Sequence, residues 1–143
     1  MKYILPAILL LITLGSEARA DSFSSPQAAR VSIDKVMAAI AADNVDGGLS
    51  QIKPYSALPP AEFDAALGQI KYQLSPMASR FGKSIGYEFI KEDKVGNSFI
   101  RFTYLQKYEK HAIRWFFIFY DSGTGLMLNA LFFRDNMQDL FPN

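Results

Sequence analysis

A break in composition near residue 80 constrains this chain more than any other feature. Eleven alanines lie between Ala28 and Ala78, and beyond them only Ala112 and Ala130 follow. Fifteen aromatic residues lie from Phe81 onward, against four between Phe23 and Tyr72. No proline falls between Pro76 and Pro142. Alanine favours helix, while aromatic residues fit the pleated surface of a sheet. A helical half followed by a strand half predicts an α+β fold with N-terminal helices packed on a curved four-stranded antiparallel meander. A chain of 143 residues supports one such domain and not two.

The segment from Met1 to Ala20 reads as a secretory signal peptide. Lys2 gives a short cationic start, Ile4 to Leu14 is almost wholly apolar, and Ala18-Arg19-Ala20 fits cleavage before Asp21. The apolar run ends at Gly15-Ser16-Glu17. A membrane span requires roughly 20 apolar residues, more than this run supplies. The expectation is an exported protein, periplasmic or secreted, with a single domain over 21–143 and no stable membrane span once the leader is gone. Loss of Lys2, Arg19 and Glu17 with the leader leaves equal numbers of cationic and anionic side chains. That balance argues against nucleic acid as a partner. The absence of cysteine excludes disulfides, thiolate metal sites and thiol catalysis. A single histidine excludes any site needing two imidazoles, so no metal and no cofactor is expected.

Within the helical half, Ser25-Pro26 predicts a capped helix start, with Ala29, Ile33, Val36, Met37 and Ile40 as its apolar stripe. Asn44 to Gly48 predicts its end. The stretch 49–58 admits a short helix, a short strand or a loop. Pro59-Pro60 opens a second helix whose stripe is Phe63, Leu67, Ile70 and Leu74, and Pro76 is expected to break or kink it. Strand-like runs follow over Ile85–Glu92, Ser98–Tyr108, His111–Tyr120 and Leu126–Arg134, joined by short turns that predict hairpins.

A two-residue turn at Glu109-Lys110 predicts the pairs Gln106–Ile113, Tyr104–Trp115, Phe102–Phe117 and Ile100–Phe119, all on the face turned to the helices. The other face carries Arg101, Thr103, Leu105, Arg114, Phe116, Ile118 and Tyr120. Large apolar groups among charges there predict a second covered surface, under either a partner subunit or another part of the chain. Arg114, Phe116, Ile118 and Tyr120 are the expected interface of a homodimer.

Catalytic signatures are absent. Gly82-Lys83-Ser84 resembles the end of a phosphate-binding loop, but Met77 stands where the earlier glycine is required. Ser32-Ile33-Asp34-Lys35 and Ser50-Gln51-Ile52-Lys53 match S-x-x-K in a chain too short for the acyl-enzyme fold. No G-x-S-x-G occurs, and no pair of carboxylates stands in an acid/base arrangement. Glu88 and Arg101 are expected to form a cross-strand ion pair.

The element order resembles the NTF2-like (cystatin-like) α+β cone and its small secreted members. The resemblance rests on an Ala-rich first helix ending in Asp43-Asn44-Val45-Asp46-Gly47, a Pro-initiated helix with Phe63-Asp64-Ala65-Ala66-Leu67-Gly68, and a last strand reading Leu128-Asn129-Ala130-Leu131-Phe132-Phe133. It implies a sheet wrapped around helices, a pocket at the open end of the cone and dimers formed through the sheet. Two readings follow. In one, the protein is a non-enzymatic binding module that holds a small apolar ligand or a protein partner, with Tyr87, Tyr104, Trp115 and Phe117 as lining. In the other it is a small lyase or isomerase whose polar pocket residue is His111, Tyr72 or Tyr104. A titratable side chain in a cavity would separate them.

Overall fold

The computed structural model describes residues 20–143. The leader lies outside the described residues except for Ala20. The chain runs α1 (Pro26–Ala41), α2 (Val45–Ile52), a 3₁₀ turn (Lys53–Tyr55), α3 (Pro60–Phe81), then β1 (Ser84–Val95), β2 (Phe99–Tyr108), β3 (Ala112–Asp121) and β4 (Leu126–Arg134), with a last 3₁₀ turn at Gln138–Leu140. The fold is α+β, with three helices against an open antiparallel sheet in the order β1-β2-β3-β4. Among the described residues no helix is long and apolar enough to cross a membrane.

The helix α1 starts where Ser25 accepts from the Ala28 N–H at 3.1 Å. Pro26 fills a position that needs no donor. All five residues of its expected stripe are buried. The segment Asn44 to Gly48 ends one helix and begins another. Asp43 adopts a left-handed φ of 62°. The Asp43 and Asn44 N–H groups return to the Ile40 and Ala39 carbonyls, closing α1 in a Schellman arrangement. Asn44 then caps α2 by accepting from the Gly47 N–H at 3.0 Å, one of the donors a helix start leaves free. A Cβ on Gly48 would stand 2.9 Å from the Val36 carbonyl, so the glycine lets α2 lie close against α1. The ambiguous stretch 49–58 is therefore the end of α2, the 3₁₀ turn and a short parallel bridge from Ser56 to Leu128. Pro76 does not break α3. It is exposed, and the helix continues to Phe81, ending at Gly82 with φ 86°.

The pairing of β2 with β3 follows the expected register, Gln106 to Ile113, Tyr104 to Trp115, Phe102 to Phe117 and Ile100 to Phe119. That helix-facing surface is almost fully buried. The first hairpin differs. Its strands continue to Val95 and from Phe99, and β1 has an irregularity between Phe89 and Lys91. Glu88 consequently faces Leu105, and Arg101 faces Asp93, to which it donates at 3.0 Å. The expected Glu88–Arg101 pair is replaced by Arg101–Asp93. On the far side, the edge of β4 is covered in part by Phe23, which exchanges two backbone hydrogen bonds with Leu126, and by Ala57, which donates to the Leu128 carbonyl.

Candidate functional site

The four aromatic residues expected to line a ligand pocket hold the core together. Tyr104, Trp115 and Phe117 have no exposed surface, and Tyr87 packs partly buried against them. None lines a described cavity. The Tyr104 hydroxyl donates to Asp34 Oδ1 at 2.6 Å. Arg30, which also reaches Asp34 at 3.4 Å, lies over the Phe89 ring at 3.2 Å, a cation–π contact. Burial first, and then the Asp34 carboxylate, pushes the Tyr104 hydroxyl far up from its ordinary value. The Trp115 Nε1–H donates to Gln106 Oε1 at 3.0 Å, and Gln106 Nε2 donates to the Ile40 carbonyl and to Ser84 Oγ. These are polar groups satisfied inside a core.

The other two expected pocket residues stand elsewhere. His111 is half-buried beside the β2–β3 turn, with Nε2 2.8 Å from the Asp135 carbonyl and its ring against Phe81. Tyr72 is 78% exposed on the outer surface of α3. Neither lines a described cavity.

A cavity with polar and apolar walls lies between the α1–α2 junction, α3 and the end of β2. It measures about 250 Å³ and is lined by Asp43, Asn44, Val45, Asp46, Lys71, Leu74, Ser75, Ala78, Gln106 and Tyr108. Its geometry follows from local structure. The left-handed Asp43 and the capping Asn44 turn the chain between two helices, which leaves a gap beside α3. Lys71 of α3 reaches Asp46 at 2.7 Å, so an ion pair bridges α3 and α2 at the cavity wall. Tyr108, at the last position of β2, is nearly buried. Burial first, and then the Asp43 carboxylate, pushes its hydroxyl up to about 12, the direction desolvation and a nearby anion both impose. At neutral pH the hydroxyl is protonated, as any tyrosine is, and is available as a donor.

The sequence alone places Tyr108 at the β2–β3 turn and assigns it to no site. It shares the alternation of Tyr104 and Gln106, so it belongs to the helix-facing surface. What marks it as special is its place at the end of that surface, where the helices diverge. A larger depression of about 550 Å³ lies over the 53–60 segment beside Ala20 and Asp21. The cation in its wall, Lys53, is paired with Asp64 at 2.8 Å. A tight apolar slot of about 50 Å³ lies between α3 and β4. It has room for little more than a water or two. Among the described residues no group of three or more His, Cys, Asp or Glu is placed to hold a metal.

Tyr104 and Tyr108 give the fold a definite alkaline limit. Both hydroxyls have folded values above the ordinary 10.0, so folding favours the protonated form. Their contribution is fully present below about pH 10 and is lost as pH rises toward about 12. Urea midpoints are expected to hold steady to about pH 9 and fall steeply above about pH 10. Tyr108→Phe is expected to soften that fall, and an unchanged profile in this variant would show that Tyr108 is not one of the groups responsible.

No family model, curated protein or solved structure matches the chain.

Proposed function

We propose that the protein is an exported, non-enzymatic binding module whose cavity of about 250 Å³ takes a small ligand with an apolar body and a hydrogen-bond acceptor. One observation carries this reading: the cavity joins an apolar wall of Val45, Leu74 and Ala78 to the hydroxyl-bearing side chain of Tyr108. Sites for drug-sized ligands occupy about 300–1,000 Å³, so the fitting ligand is smaller. This differs from a purely apolar ligand in the core, because the core aromatics leave no space. The export reading rests on the leader's residues, and the likeness to the NTF2-like cone rests on element order with helices ahead of a meander.

The test is ligand-observed NMR with small carbonyl compounds such as cyclohexanone. Saturation transfer from the wild type to the ligand is expected, and is expected to be lost in Ala78→Trp, which fills the cavity from the solvent side of α3. Tyr108→Phe is expected to weaken binding by about 2- to 10-fold, the worth of one hydrogen bond. Transfer undiminished in Ala78→Trp would place binding elsewhere and sink the proposal.

A second reading is favoured by the same tyrosine. Asp43 and Asp46 line the cavity with it. Together they supply a carboxylate base and a hydroxyl donor, the two groups that proton abstraction beside a carbonyl requires. Deuterium exchange at the α-carbon of bound cyclohexanone, dependent on Tyr108, would favour this isomerase reading over simple binding.

A further inference from the structure

The outer face of the sheet carries a concentration of unsatisfied positive charge. Lys91, Arg101, Arg114 and Arg134 come from four different strands and line one recess of about 230 Å³, floored by Phe116 and Phe132. Among the described residues, the carboxylates that pair with them are Asp93, which Arg101 and Lys91 share at 3.0 and 3.7 Å, and Asp139. Four cations against two carboxylates leave an excess of two positive charges.

Lys91, Arg101 and Arg134 reach the surface, but Arg114 between them does not. Arg114 is 6% exposed, yet the carboxylate it pairs with is Asp139 at 3.6 Å, and Asp139 is itself mostly exposed on the last 3₁₀ turn. A buried guanidinium without close hydrogen-bonded pairing is costly. The Nε atoms of Arg101 and Arg114 are buried without partners, and so is the hydroxyl of Thr103, a fully buried residue on the same face. All three unpartnered atoms lie on neighbouring positions of β2 and β3, where Thr103 pairs with Phe116 and Arg114 with Leu105. Phe116 is stacked on Phe132 at 4.9 Å, with the Arg101 and Arg114 guanidiniums within 5.6 Å of its ring centre. Stacking on that ring orients the guanidiniums but does not satisfy their N–H groups.

We infer that this recess is a binding site for a phosphate group, either as inorganic phosphate or on a small phosphate ester. The excess of two charges matches a dianion. Donors converging from four strands match the spread oxygens of a tetrahedral anion better than the two in-plane oxygens of a carboxylate. The arginine forks in its lining supply the hydrogen bonds phosphate needs. Asp139 acts as a tethered competitor, a carboxylate on a short exposed turn that partly neutralises Arg114 until the anion arrives. This site lies across the sheet from the cavity under α3, and neither depends on the other.

The test is isothermal titration of the protein at constant ionic strength in chloride, since surface charge responds to salt. Inorganic phosphate and glycerol phosphate are titrated separately. Saturable heat with either is expected, and tighter binding of glycerol phosphate would identify an ester as the source of the group. Arg134→Gln, at an exposed position, is expected to weaken binding about 10-fold or more, the loss of one charge-assisted hydrogen bond. Asp139→Asn is expected to tighten it by about 2- to 5-fold, the release of one loose ion pair. Arg114→Gln should abolish it, and because this variant risks the fold, the exposed pair of variants decides the matter. No saturable heat up to about 10 mM phosphate, where a millimolar site would still be seen, overturns the proposal. Heat unchanged in both Arg134→Gln and Asp139→Asn overturns it equally.

Discussion

Trp115→Ala is expected to lower folding stability by about 3–5 kcal/mol through the cavity it leaves. A further loss of about 1–3 kcal/mol follows from the orphaned acceptor on Gln106. Trp115 has no exposed surface, and its ring lies against Phe117 and Phe133. Its N–H is one end of a chain of bonds through Gln106 and Ser84 to the Ile40 and Ala41 carbonyls, which ties β3 and β2 to β1 and the end of α1. A domain of this size has about 5–15 kcal/mol in total, so the variant should be largely unfolded or close to it. Urea denaturation followed by far-ultraviolet circular dichroism is the measurement, because Trp115 is the only tryptophan and its fluorescence is removed with it. Trp115→Phe keeps most of the volume and isolates the polar part. A loss under about 2 kcal/mol in Trp115→Ala would mean that the core collapses around the gap and that the bonded chain contributes little.

Phe116→Ala carries the second large effect, about 3–5 kcal/mol. The sequence alone places Phe116 on a covered face of the sheet, under a partner subunit or another part of the chain. Within the chain itself much of that cover is already present. Phe116 is 6% exposed within the chain itself, stacked on Phe132 and flanked by Arg101 and Arg114. Arg114, expected beside it in a dimer interface, is buried too. Either Phe116→Ala or Phe116→Asp therefore weakens the monomer and cannot serve as a clean probe of association. Self-association through this face is a proposal that now rests on Tyr120, which is exposed, and on Ile118, which is partly so. Tyr120→Asp is the clean probe. Sedimentation of wild type and Tyr120→Asp at matched concentration should show a dimer only in the former, and a monomeric wild type removes the proposal. Thermal denaturation of Phe116→Ala checks the stability claim, and a midpoint near wild type would contradict it.

How much of the fold is legible in the sequence depends on whether the signal is periodic. The β2–β3 register can be read because strict alternation and a two-residue turn leave one way to put Tyr104, Trp115, Phe102 and Phe117 on a common face. The stripe of α1 is equally periodic. By contrast, α2 is hidden by Gly47 and Gly48, which have poor helix propensity, and Gly48 is there because α1 approaches too closely for a side chain. The cavity is hidden for another reason. Asp43, Lys71 and Tyr108 come from three separate segments, and no spacing along the chain reports where two packed layers part. Likewise nothing in β3 reveals that residues 139 and 140 fold back beside Arg114 and Phe116. The surplus cations are visible as composition, but their convergence requires the sheet.

The unequal treatment of the sheet's two outer strands bears on how the chain survives before and after it folds. A row of unpaired backbone groups is a template on which other chains add as strands, the first step toward insoluble fibrils. The chain has no disulfide to hold it closed. On β4 that template is occupied in part by the start of the domain and by the link between α2 and α3. On β1, among the described residues, it is left open but made inhospitable: five of its twelve residues are charged, and irregularities after Ser84 and after Phe89 disturb its straight run of donors and acceptors. A newly made copy has to form its covered edge by bringing Phe23 to Leu126, a contact across almost the whole domain that is made late if the hairpins form first. Until then β4, with its apolar Leu126-Met127-Leu128, is the segment through which crowded copies would aggregate, and β1 is not.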